Sequence, residues 1–182
     1  WLVRQSANSG NNTSNRTRPD PVAKPIEPRG LRSDRILVLY GSTVARMTDG
    51  FAISLVVGAF HRESCEVMVS EALSVASALG LDVRDEVWVP GSMEKPLAAK
   101  RLLERDDIDA VVVLGIIEKG ETAHGHVMGQ AVIQTLIDLQ LETNKPVGVG
   151  ILGPEILPDQ IPPRLGPYAQ SAVRAVHAML SP

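Results

Sequence analysis

The chain has 182 residues, enough for one domain with a substantial core, and 44% of them are hydrophobic, as in ordinary globular proteins. Aromatic residues make up 3%, so aliphatic side chains must fill the core, which favours helices packed on a parallel sheet. The net charge of -3 argues against a broad nucleic-acid surface, and no apolar run reaches the roughly 20 residues of a membrane span. The single cysteine, Cys65, excludes an intramolecular disulfide and a four-cysteine zinc site.

Residues 1–33 differ in composition from the rest of the chain. A polar run rich in Asn and Ser is followed by a stretch that carries arginine and several prolines. Such a segment cannot bury enough apolar surface to offset its ordering entropy, so we predict an extended or flexible N-terminal tail. The tail is either an ordinary extension or the remnant of a transit peptide, which predicts a cytoplasmic or a plastid protein respectively.

Residues 34–182 are predicted to form the functional domain. Apolar runs predict a first strand at 36–40 and later strands at 51–60, 83–89, 110–117 and 147–152, while helical spacing predicts helices at 63–79, 97–105, 123–141 and 166–180. After the first strand, strands and helices alternate. Right-handed crossovers then give an α/β fold in three αβα layers, with a central, mainly parallel sheet.

Ligands of such sheets bind at the carboxyl ends of the strands. In this sequence those ends are residues 60–61, 90–94, 117–124 and 152–154. Four separate segments are therefore expected to converge at one rim of the sheet, which makes the polar residues in them candidates for a binding site.

One of these segments, the loop before the helix at 123–141, contains Gly120, Glu121, Thr122 and His124. A glycine before a helix start leaves backbone N–H groups at the positive end of the helix dipole, which suits a phosphate or a carboxylate. An imidazole in the first turn titrates near neutral pH and can accept and return a proton. Taken alone, the loop is also consistent with an ordinary helix start capped by Thr122.

Several other site types lack their motifs. The sequence contains no Walker loop and no Gly-x-Ser-x-Gly nucleophile elbow, and no Gly-x-Gly-x-x-Gly dinucleotide-binding pattern follows the first strand. His124 and His126 form a His-x-His pair, but no cysteine or well-spaced carboxylates accompany them, so we expect no metal site.

Four further residues at or near the rim have two interpretations each. Ser92 and Glu94 either contact a ligand or cap the helix that follows them. Arg164, which two prolines precede, suits bidentate phosphate binding or is a solvated arginine. Phe60 either stacks on a flat ring or belongs to the core.

Four stretches together resemble the lumazine synthase family, over about residues 36–180. They read FAISLVVGAFHRE, VWVPGSMEKPLAAKRLL, DDIDAVVVLGIIEKGETAH and LETNKPVGVGILGPE. The pattern Val-Pro-Gly-x-x-Glu-x-Pro-Leu-Ala followed by Gly-Glu-Thr-x-His is specific as a pair. The Gly-Pro-Glu after the last strand is closer to archaeal-type members.

The resemblance implies a flavodoxin-like fold and a reaction. The family condenses 5-amino-6-ribitylaminouracil with 3,4-dihydroxy-2-butanone 4-phosphate to give 6,7-dimethyl-8-ribityllumazine, phosphate and water, in riboflavin biosynthesis. It uses no metal and no organic cofactor. The partners implied are these small molecules and further copies of the chain, with no nucleic acid and no membrane.

The resemblance also implies residue roles. His124 matches the catalytic histidine, which moves protons during imine formation and elimination. The phosphate would contact the loop at Gly120, Glu121 and Thr122, and Arg164 of an adjacent subunit. The other substrate-binding positions are Phe60, which stacks on the pyrimidine, and Ser92, Met93, Glu94, Ile116, Ile117 and Val149.

Family members assemble as pentamers, in some cases packed further into decamers or icosahedral shells. The first strand of one subunit adds to a neighbour's sheet, and the strand within residues 35–44 has the right position to do so. The resemblance therefore predicts a homo-oligomer with an exchanged N-terminal strand.

The sequence departs from the family pattern at Gly125 and His126, where aromatic or acidic residues are usual, and at Gln170, near the place of a usual lysine. A second histidine could lower the basicity of His124. One alternative is therefore a catalytically weak member that acts as a shell-forming scaffold or binds flavin or lumazine. Another is an archaeal-type riboflavin synthase, against which Phe60 and the Gly-Glu-Thr-Ala-His loop argue.

Overall fold

The structure is a computed structural model that describes residues 38–40, 43–45 and 50–181, and the chain divides into two units, residues 1–47 and 48–182. In the first unit, β1 (Val38–Tyr40) pairs antiparallel with β2 (Thr43–Ala45), so the strand predicted at 36–40 has a second strand after it that was not predicted. The predicted tail, residues 1–33, lies outside the described residues. The exchange of the first strand also stays a prediction.

The second unit alternates strands and helices as predicted. Its elements are β3 (Ala52–Gly58), α1 (Arg62–Ala78), β4 (Asp82–Val89), α2 (Lys95–Leu103), β5 (Ala110–Glu118), α3 (His124–Thr143), β6 (Val147–Ile156) and α4 (Leu165–Leu180). Two short 3-10 turns, Pro158–Gln160 and Pro162–Arg164, join β6 to α4.

The sheet of this unit has four parallel strands in the order β4-β3-β5-β6. Helices α1 and α4 pack on one face and α2 and α3 on the other, and each face has its own cluster of buried aliphatic side chains. Strand β5 is buried along its whole length except at Glu118, as expected of a central parallel strand. The predicted α/β flavodoxin-like fold in three layers is confirmed.

The strand order creates a crevice at one place in the sheet. The chain leaves β3 through α1 towards β4 and leaves β5 through α3 towards β6, on the opposite side. Because β3 and β5 are neighbours, the two loops that follow them diverge, and the space between them opens at the carboxyl ends of both strands. Within residues 50–181, no helix is both long and apolar enough to cross a bilayer.

The end of α2 is anchored by a buried lysine. The Nζ of Lys145, which precedes β6, donates hydrogen bonds to the carbonyl oxygens of Leu103, at 2.7 Å, and Arg105, at 2.6 Å. A cation at a helix C-terminus satisfies carbonyl groups that have no partner within the helix. Lys145 therefore has a structural role on the side of the domain where α2 ends.

Close packing of β6 against α4 requires a glycine. A methyl group at Gly148 would overlap the backbone carbonyl oxygen of Ala172 and lie 2.9 Å from a methyl carbon of Val176. We expect Gly148→Ala to lower the free energy of unfolding by about 1–3 kcal/mol or more, because the helix must move outward. Chemical denaturation monitored by circular dichroism measures this change.

Gly166→Ala is the matched control at the start of α4. The added methyl would lie 3.5 Å from the nearest atoms of Glu71, an ordinary contact. Alanine also favours a helix over glycine by up to about 1 kcal/mol. Equal stability of the Gly148 variant and the wild type would contradict the tight packing of β6 on α4.

Candidate active site

A cavity of about 530 Å³ opens at the carboxyl ends of β3 and β5. It lies in the crevice that the strand order predicts. Its walls come from the loop after β3, the turn after β4, and the end of β5 with the start of α3. The predicted site residues that line it are Phe60, Ser92, Ile116, Ile117, Gly120, Thr122 and His124. Met93, Glu94, Glu121, Val149 and Arg164 do not line it.

The loop between β5 and α3 forms the exposed side of the cavity. Helix α3 begins at His124, and Ala123 holds the cap position that was predicted for Thr122. The hydroxyl oxygen of Thr122 accepts a long hydrogen bond, 3.4 Å, from the backbone N–H of His124. A helix start of this kind, with no acidic side chain in its first turn, keeps the positive dipole end that suits an anion.

Phe60 lies at the mouth of the cavity with 81% of its surface exposed. Its ring meets the ring of His61 edge-on, with centroids 5.0 Å apart and planes at 82°. Of the two interpretations that the sequence allowed, the core position is therefore wrong. An apolar ring that is exposed beside a cavity is suited to stacking on a planar ligand.

In the turn after β4, Glu94 stabilises the turn and Ser92 lines the cavity. The carboxylate of Glu94 accepts a hydrogen bond from the backbone N–H of Gly91, at 2.9 Å, and so closes the turn. Met93 is exposed beside it. Ser92 lines the cavity, and its side chain caps no helix N–H, so the capping interpretation is wrong for this residue.

Two predicted positions lie away from the cavity within the chain. Val149 faces Val113 in the middle of the sheet, several residues before β6 reaches the rim. The guanidinium of Arg164 donates a hydrogen bond to the carbonyl oxygen of Gln160, at 2.8 Å, and is exposed. The cavity of one chain therefore lacks the phosphate-binding arginine that the resemblance implies.

A histidine and a glutamate in the cavity wall were not predicted as a pair. The Nε2 of His61 lies 3.4 Å from a carboxylate oxygen of Glu118 and forms no hydrogen bond with residues 50–181. His61 follows β3 and Glu118 ends β5, so the pairing of these strands brings them together. The sequence signal was that both residues stand where neighbouring strands end, but it does not give the distance.

A buried lysine lies directly behind the cavity and was also missed. Lys95, at the first residue of α2, is 1% exposed, and its Nζ donates a 2.8 Å hydrogen bond to the hydroxyl oxygen of Ser92. Burial lowers the pKa of Lys95 to about 8, against weaker opposing effects of Cys65 and Glu94. Its position after Glu94 reads as a solvated helix start, and the sequence gives no sign of its burial.

In the part of the chain that the structure describes, no group of three or more His, Cys, Asp and Glu side chains is arranged to hold a metal ion. What the cavity offers is an imidazole, a helix N-terminus, an exposed aromatic ring and a hydroxyl that contacts a buried ammonium. These groups suit proton transfer on a planar ligand and an anionic one held side by side.

The sequence was also compared with known proteins and protein families. Residues 50–181 match the profile of the family described as 6,7-dimethyl-8-ribityllumazine synthase. A protein of that name from Metallosphaera sedula is 42% identical over 127 residues, which cover 70% of this chain and 84% of the relative.

Two other archaeal relatives carry the same name. The one from Methanopyrus kandleri is 44% identical over 128 residues, with 70% of this chain and 90% of the relative covered. The one from Saccharolobus solfataricus is 41% identical over 123 residues, with coverages of 68% and 80%. The expected likeness to archaeal members is confirmed, and the chain belongs to the 6,7-dimethyl-8-ribityllumazine synthase family of enzymes.

Proposed function

We propose that this chain condenses 5-amino-6-ribitylaminouracil with 3,4-dihydroxy-2-butanone 4-phosphate to give 6,7-dimethyl-8-ribityllumazine, phosphate and water, a step of riboflavin biosynthesis. One observation carries the proposal. His124 and the helix N-terminus after Gly120 face the same cavity as the exposed ring of Phe60. A proton carrier, an anion seat and a stacking surface are what these two substrates require.

Every step of this reaction involves the transfer of a proton. The amine of the pyrimidine attacks the ketone, water leaves as the imine forms, phosphate is eliminated, and the ring closes with loss of a second water. His124, at the cavity wall, is positioned to return protons to the departing groups and to remove them from carbon. Holding both substrates in one cavity supplies the rest of the rate increase by proximity.

The phosphate would sit at the start of α3. The backbone N–H groups after Gly120 and the hydroxyl of Thr122 lie at the exposed side of the cavity, where a phosphate can enter without burial of its charge. Glu121 is exposed in the same loop. The ring of the pyrimidine would then rest against Phe60, with Ile116 and Ile117 behind it.

The incomplete cavity supports a homo-oligomer, in the pentameric form of the family or a larger assembly of pentamers. Arg164 does not line the cavity of its own chain, and its guanidinium is exposed. A neighbouring subunit can bring this cation to the phosphate. Several large apolar side chains are exposed as well, as on surfaces that pair with another copy: Leu97, Val127, Leu141 and Met179.

Neither alternative function gains support. The relatives described above carry the synthase name, not that of a riboflavin synthase. The scaffold interpretation rested in part on Gly125 and His126, and of these Gly125 has a packing reason to be small. A methyl group there would lie 3.1 Å from the backbone oxygen of Glu118, which the start of α3 approaches closely.

We expect His124→Ala to lower the rate of lumazine formation by about a hundredfold or more, because the cavity then lacks the imidazole at the start of α3, to which the proton transfers are assigned. Lumazine absorbance and fluorescence follow the reaction, and the uncatalysed condensation is subtracted. His177→Ala, on α4 and away from the cavity, is the matched control. A wild-type rate equal to the uncatalysed background would refute the proposed function.

The Arg164→Ala variant is also expected to be inactive. Oligomers that contain two different variant chains test whether Arg164 binds the phosphate in the cavity of a neighbouring subunit. Co-expression of the His124→Ala and Arg164→Ala chains should restore activity, since about a quarter of randomly mixed sites combine both intact residues. Arg174→Ala, an exposed arginine on α4, should keep full activity by itself. No recovery in verified mixed oligomers would contradict a site shared between subunits.

A further inference from the structure

Lys95 is an unusual residue to find inside this domain. Its side chain is among the largest that are fully buried, yet no carboxylate of residues 50–181 forms an ion pair with it. Glu94, the nearest in sequence, is exposed and bonded to Gly91. Burial raises the pKa of the Cys65 thiol, so this neighbour is a neutral group at neutral pH. A buried ammonium without a charged partner is costly to the fold.

The fold nevertheless keeps a space for this ammonium. A side chain at Gly58, at the end of β3, would place its first carbon 2.8 Å from Nζ of Lys95. A side chain at Gly115, in β5, would overlap the same nitrogen. The two central strands thus present bare backbone on either side of Nζ, directly beneath the cavity.

The hydrogen bond between Lys95 and Ser92 has a fixed direction. An ammonium only donates, so the hydroxyl oxygen of Ser92 must accept from Lys95, at 2.8 Å. A hydroxyl carries one hydrogen of its own, and no acceptor among residues 50–181 takes it from Ser92. Since Ser92 lines the cavity, its hydrogen is available to a ligand there.

We propose that Lys95 is a positioning residue, whose ammonium holds the Ser92 hydroxyl as a hydrogen-bond donor into the cavity, towards a ligand oxygen that carries or gains negative charge. A carbonyl oxygen of an electron-rich planar ring fits this description. The positive charge behind the hydroxyl strengthens the bond most when the ligand oxygen becomes negative. The identity of the ligand in this inference rests on the proposed function, whereas the arrangement of Lys95 and Ser92 does not depend on it.

The experiment compares Lys95→Met with Lys145→Met, the change of the other buried lysine. Lys145 anchors backbone carbonyls, so its loss should lower the stability of the fold and leave turnover of the folded protein unchanged. Methionine at 95 fills the same space without a charge. We expect this variant to be at least as stable as the wild type and about 10- to 100-fold slower in kcat/KM.

A double-mutant cycle separates this role from a general effect on the cavity. Ser92→Ala and Lys95→Met should each lower kcat/KM, and the double variant should be no slower than the worse single one, because Lys95 acts only through the Ser92 hydroxyl. Independent, multiplying losses would overturn the proposal. So would a Lys95→Met protein that unfolds like Lys145→Met, since Lys95 would then be a structural residue.

The pH profile gives a readout that a structural role would not change. Below a pH of about 8 Lys95 is protonated, and above it the neutral amine can accept the hydrogen of Ser92. Wild-type kcat/KM should therefore fall as pH rises through this range, while Lys95→Met shows no such step. Cys65 of α1 and Glu94 of the turn face this amine, so Cys65→Ala and Glu94→Gln serve to show that neither causes the step.

Binding of 6,7-dimethyl-8-ribityllumazine, followed by its fluorescence, distinguishes failure of the inference from failure of the function. An active enzyme whose kcat/KM and lumazine affinity do not change in Lys95→Met overturns the inference alone. An inactive protein that binds lumazine more weakly after this substitution keeps the inference and refutes the proposed function. A wild type that neither reacts nor binds refutes both.

Discussion

The pairing of β3 with β5 is the constraint on which the site depends. These two strands are neighbours in the sheet but lead to helices on opposite sides of it, so their ends cannot be closed by one loop. The crevice that results gathers Phe60, His61 and the loop before His124 from segments far apart in the sequence. The chemistry of the cavity is thus a consequence of strand order, and the loops supply the side chains.

Much of this arrangement can be predicted from the sequence, because the hydrophobic periodicity identifies the strands and helices and their order along the chain determines the sheet. The alternation of strands and helices fixed the parallel sheet, and the strand ends indicated the rim. Periodicity is less informative about helix faces, because Val67, Leu73 and Tyr168 occupy apolar positions of α1 and α4 and are nevertheless exposed. The buried stripes of α1 and α4 each include two alanines, which are weak signals of a core face, and spacing alone does not choose between two apolar stripes on one helix.

The contacts that sequence patterns missed are those made across elements. Whether Lys95 points to solvent or into the sheet depends on space left by Gly58 and Gly115, two glycines that come from different strands. The approach of His61 to Glu118 depends on the register of β3 with β5. The burial of Lys95 and the contact of His61 with Glu118 both depend on how neighbouring strands are placed. Local sequence propensity carries no information about that placement.

The outward-facing Arg164 also bears on how such a protein behaves as its concentration changes. If the cation of one chain completes the cavity of another, a separated subunit holds a partial site, and dilution removes activity and assembly together. Substrate would then bind to the assembled form in preference to single chains, and by mass action it would hold the subunits together. Catalysis and quaternary structure would share a single equilibrium, with the metabolite as the link between them.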